Sequence, residues 1–145
     1  MRKTMFASLI ALIFGIGCLA YAQPKSNKNT AGANTAGVGA AGAWSGAWTG
    51  GSSGQLEMAI TKGVKGKLSA TLTANPNQGD GFTVQAKSVI ASGSKLTLKF
   101  ESPGGGTEGT LRGVIKGSSI NGNYSIRSKA NGEVVDKGTF TATRK

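Results

Sequence analysis

The chain has 145 residues, with 17 Lys or Arg against 6 Asp or Glu, 24 Gly, one Cys and no His. That length supports one domain of ordinary size rather than two, and each Gly disfavours helix by about 1 kcal/mol relative to Ala. Lacking His, the chain lacks the side chain most used for proton transfer near neutral pH and the commonest metal ligand, which excludes a His-based nucleophilic triad.

The first 22 residues read as targeting rather than fold. Arg2 and Lys3 precede an uncharged apolar run over 5–19, and Ala20-Tyr21-Ala22 places small residues where a signal peptidase reads them. A cleaved secretory leader over 1–22 is expected, with export to the periplasm or beyond the cell. A membrane anchor, or lipid attachment at Cys18 after Gly15-Ile16-Gly17, is the alternative. Without the leader the chain has no Cys, no disulfide and no membrane span, and 15 basic residues against 6 acidic ones. Residues 23–43 are rich in Gly, Ala and Asn and hold a single β-branched aliphatic residue, Val38. A segment with so little to bury is expected to be a disordered tether.

From Trp44 the texture changes to period two, and a domain is expected over 44–145. A short first strand over 44–49 is followed by 55–62, with Leu56, Met58 and Ile60 on one face. After a turn at 63–66, residues 67–73 repeat the pattern with Leu68, Ala70 and Leu72, and 75–81 form a longer loop. Phe82, Val84 and Ala86 share the inward face of the next strand, and Leu96, Leu98 and Phe100 that of the strand after it. Residues 107–116 point Gly109, Leu111, Gly113 and Ile115 inward; 119–128 point Ile120, Gly122, Tyr124 and Ile126. Asn131-Gly132 predicts a two-residue turn with positive φ at both positions, and the last strand buries Gly138, Phe140 and Ala142.

About eight antiparallel strands with one apolar face and no helix to cover it are most simply hidden by closure. An all-β meander barrel is expected, a two-sheet sandwich being the alternative. Gly42-Ala43-Trp44 and Gly46-Ala47-Trp48 each match the G-x-W that opens the first strand of lipocalins and avidins, and the meander resembles those calycin-type barrels. The resemblance implies that Trp44 or Trp48 packs across a closed barrel end. It carries over no ligand residue: the helix and disulfide common in lipocalins are missing, as are the later Trp residues that line avidin sites.

The remaining chemistry is sparse. Glu57, Asp80, Glu101, Glu108, Glu133 and Asp136 are read as exposed rather than as a catalytic pair. Gly104-Gly105-Gly106 lacks the Lys-Ser/Thr ending of a phosphate loop and is read as a plain loop. The Lys and Arg residues are spread over nearly every strand and turn, as on a solvated outer face, with an anion-binding patch as the alternative. Exposed aromatics interleaved with basic residues are missing, so nucleic acid is not an expected partner. An exported, non-catalytic binding module without cofactor or metal is expected, holding a small apolar or amphipathic ligand. The alternative is an envelope interaction or structural protein that contacts anionic surfaces. Oligomeric state is left open. Inward glycines at 109, 113, 122 and 138 are expected to open a pocket wall opposite Leu96, Leu98 and Phe100. The candidate ligand-binding residues are Leu96, Leu98, Phe100, Leu111, Gly113, Tyr124 and Phe140.

Overall fold

The computed structural model describes residues 39–145. The expected leader with Cys18, and residues 23–38 of the expected tether, lie outside them. Eight strands follow one another: β1 (Gly42–Gly50), β2 (Ser53–Lys62), β3 (Leu68–Pro76), β4 (Phe82–Ser92), β5 (Lys95–Glu101), β6 (Thr107–Lys116), β7 (Ser119–Ser128) and β8 (Val134–Arg144). Each pairs antiparallel with the next, and β1 also pairs with β8 from Trp44↔Arg144 to Gly50↔Gly138. This last ladder closes the barrel and excludes the sandwich.

Alternation sets the inside. Leu56, Met58 and Ile60 of β2 meet Leu72 and Ala70 of β3, Leu96, Leu98 and Phe100 come from β5, and Leu111, Ile120, Tyr124, Phe140 and Ala142 join them from β6 to β8. Their intervening neighbours face solvent, and no polar or charged residue is buried among the described residues. At about 25 cal/mol per Å² of apolar surface removed from water, this interior is the main stabilising term.

Two places depart from simple alternation. A bulge between Ala86 and Ser88 shifts the phase of β4 by one residue, so Val89 and Ala91 follow Phe82, Val84 and Ala86 inward while Ile90 is left 61% exposed. The β7–β8 connection is not the two-residue turn expected at Asn131-Gly132. Only Gly132 has positive φ (74°); the Asn131 carboxamide oxygen accepts from the Glu133 amide at 3.1 Å, and the Ser128 amide donates to the Glu133 carbonyl at 2.8 Å. Asn131 uses its side chain to shape a longer loop instead of adopting the left-handed backbone.

The two ends of the barrel differ. Where β1 begins and β8 finishes, Trp44 is 1% exposed, its indole Nε1 donating to the Ala40 carbonyl at 2.9 Å. The Arg144 guanidinium lies 4.5 Å from the Trp44 ring centroid and donates to the carbonyls of Ala41 (2.7 Å) and Gly39 (2.6 Å). Residues 39–43, placed with the tether on composition, therefore belong to the barrel: Ala40 is fully buried, and β1 starts at Gly42. Hydrogen bonds to the carbonyls of Gly39, Ala40 and Ala41 hold this turn although its residues offer little to bury.

Candidate ligand-binding site

At the opposite end, where β1, β3, β5 and β7 finish, the barrel opens into a cavity of about 340 Å³. Trp48 stands there. Four residues beyond Trp44 on β1, it shares the inward face but reaches the other end of the barrel. One Trp of the repeated G-x-W thus seals the barrel, as the resemblance implies, and the other lines its mouth.

The walls are apolar: Leu56, Leu72, Ala74, Phe82, Phe100, Leu111, Ile126 and Phe140. The polar groups gather on one side, where the β1–β2 turn meets β7 and β8. The Trp48 indole Nε1 donates to Ser52 Oγ at 3.1 Å, Ser52 Oγ donates to Asp136 Oδ2 at 2.5 Å, and the Tyr124 hydroxyl donates to Asp136 Oδ1 at 3.0 Å. Across the mouth, Ser102 and Thr107 join their hydroxyls in a second, smaller pair. Burial in this wall is the main cause that pushes the Tyr124 phenol above its ordinary value of 10.0; the bond to Asp136 adds to it and Ser52 partly offsets it. A carboxylate has about four lone-pair sites and no donor. With one bond to each oxygen, Asp136 keeps acceptor capacity for a donor group brought into the mouth.

Four of the seven candidate residues, Phe100, Leu111, Tyr124 and Phe140, meet at the cavity wall. The other three do not. Leu96 and Leu98 are 2% and 0% exposed in the packed half of the barrel, and Gly113 is absent from the lining. The glycine wall is overturned. A Cβ placed on Gly113 would come within 2.6 Å of Ile120 Cγ2, and one on Gly109 within 2.1 Å of the Phe100 ring. At Gly122 and Gly138 it would meet the carbonyls of Arg112 and Thr49, at 2.1 and 2.0 Å. Neighbouring side chains and closely approaching strands have taken the volume that glycine frees.

Trp48, Ser52 and Asp136 were not among the sequence candidates. For Asp136 a signal was present: its even number matches Gly138, Phe140 and Ala142, the inward set of β8, so an acidic residue stood at an inward-facing position.

No family model and no curated protein matches the chain. Among solved structures it is similar to apo Bradavidin2 (form B), at 21% identity over 68% of this chain and 94% of that one, with a TM-score of 0.47. The closed eight-stranded meander with Trp44 across one end agrees with the calycin-type resemblance.

Proposed function

We propose that this protein is a non-catalytic binding module that takes a small amphipathic molecule into the open end of its barrel. One observation carries the reading: a cavity of about 340 Å³ with apolar walls and a few polar groups at its rim, the larger cluster around Asp136 on one side. Small-molecule sites are commonly clefts of about 300–1,000 Å³ with apolar walls and a few placed polar groups. The apolar part of the ligand lies against Leu56, Leu72 and Leu111, and a hydrogen-bond donor on it faces Asp136. Among the described residues Asp136 is the sole carboxylate lining the cavity, and acid–base hydrolysis of the two-carboxylate kind needs a second. The leader-like residues 1–22 support work outside the cytoplasm.

The test is a titration with N-phenyl-1-naphthylamine, an apolar dye without charge at neutral pH. Saturable binding near one to one is expected. Ala74→Trp, which pushes an indole into the cavity, should abolish it while the near-ultraviolet circular dichroism of the folded barrel persists. Dye binding that does not saturate, or that survives Ala74→Trp, would sink the reading.

A further inference from the structure

The outer surface of the barrel is divided by charge in a way the linear sequence conceals. Between Ser45 and Asn75 the outward strand positions of β1, β2 and β3 carry no Lys or Arg; the basic residues of that half are Lys62, where β2 ends, and those of the turn after it. On β5 to β8 the picture reverses. The register aligns Lys99, Thr110, Ser125 and Lys137 side by side as one rung across four strands. The next rung toward the closed end is Thr97, Arg112, Asn123 and Thr139. On the opposite side of the first rung, Arg127 stands across from Glu108. Four cations therefore surround a floor of hydroxyl and amide groups. A surface groove of about 240 Å³ lies along it, between Arg112 and Arg127.

These cations are available. Among the described residues neither Arg112 nor Arg127 forms an ion pair; Arg127 Nη1 donates to the Gly132 carbonyl at 3.1 Å, leaving its other donors. The carboxylate beside them that is paired, Glu101, is held by Lys87 and Lys129. Along the strand direction Arg112 and Arg127 are four residues apart in register, roughly 14 Å at 3.4 Å per residue. Lys99 and Lys137 stand three strand spacings apart, also about 14 Å.

We propose that the outer face of β5–β8 is a second binding site, independent of the cavity, for an acidic polysaccharide. The cations take its carboxylates or sulfates as charge-assisted hydrogen bonds, and Thr110, Asn123 and Ser125 meet its hydroxyls. The two rungs carry no aromatic side chain on which a base could stack, and the exposed apolar side chains beside them, Val114 and Val134, are short, separate and too small to anchor in a lipid layer. That composition favours a glycan over single-stranded nucleic acid or a membrane.

The experiment measures binding of the full chain to immobilised dextran sulfate, polygalacturonate and uncharged dextran, with poly(dT) and phosphatidylglycerol vesicles as competitors. One or both acidic glycans should bind, more weakly as salt rises, and uncharged dextran should not; the stronger of the two identifies the anion. The pair Arg112→Gln with Arg127→Gln should weaken binding at least about tenfold. Lys62→Gln with Lys67→Gln, which removes equal charge from the closed-end turn, should change it by less than about threefold. Amide shifts on adding a short oligosaccharide of the stronger binder, a galacturonate hexamer or a dextran sulfate oligomer, to the unaltered chain should map to Thr110, Arg112, Asn123, Ser125 and Arg127, a readout that does not depend on either variant folding. Equal losses from both pairs, shifts elsewhere, no glycan binding, or tighter binding to poly(dT) or vesicles would each overturn the proposal.

Discussion

Trp44 and Arg144 show how two side chains can make an end of a barrel. They are register partners on β1 and β8, and each also ties down the turn before β1, Trp44 through Ala40 and Arg144 through Gly39 and Ala41. Gly42 between them has φ +143°, and a Cβ there would lie 2.5 Å from Arg144 Nη1; the first residue of the G-x-W leaves room for the guanidinium. Arg144→Ala removes a cation–π contact and two hydrogen bonds and should cost about 1–3 kcal/mol in urea unfolding. Glu101 offers a test by pH. Hydrogen bonds from Lys129, then Lys87, lower its carboxyl from 4.5 to about 2. A carboxyl lowered in the folded state adds stability above its unfolded value, and that stability is lost as pH falls from 4.5 toward 2. In Glu101→Gln the thermal midpoint should fall less steeply across that window; an unchanged acid limb would mean that the ion pairs do not persist in solution.

Most strands were legible in the sequence because their alternation is local. Lys95–Glu101, Thr107–Lys116 and Ser119–Ser128 have the bounds read from the residues alone. The slip in β4 was also written there, as Phe82, Val84 and Ala86 at even positions giving way to Val89 and Ala91 at odd ones. What could not be read is which glycines leave space, since that depends on strands far apart in the chain. Gly113 illustrates the difference. With Ile120 and Phe140 against it, Gly113→Leu should destabilise by overpacking, typically about 1–3 kcal/mol, and leave the dye affinity of the folded fraction unchanged. Loss of dye binding with full stability would restore the glycine wall. Half of the candidate site was legible for the same reason: inward aromatics such as Phe100 and Phe140 follow from parity, whereas the meeting of Trp48, Ser52 and Asp136 depends on the β1–β8 closure.

At the scale of the molecule, closure was expected from the lack of any cover for the apolar face, and seven β1–β8 register pairs supply it. The difference between the two ends, and the gathering of basic residues on β5–β8, emerge only once the strands are set side by side. The β1–β8 seam has a mechanical consequence. The chain enters β1 and leaves β8 at the same end, the two strands antiparallel and adjacent, with the Lys145 amide still bonded to the Ala43 carbonyl at 2.9 Å. Tension applied between residue 39 and the C-terminus therefore peels this ladder one rung at a time instead of loading its bonds in parallel, since antiparallel hydrogen bonds lie across the strands. In an optical trap the barrel should rupture at lower force when pulled from these points than from Thr49 and Arg144, which loads the same seam along its length. The peel starts at Trp44 and Arg144, so the first event under load is the loss of the seal.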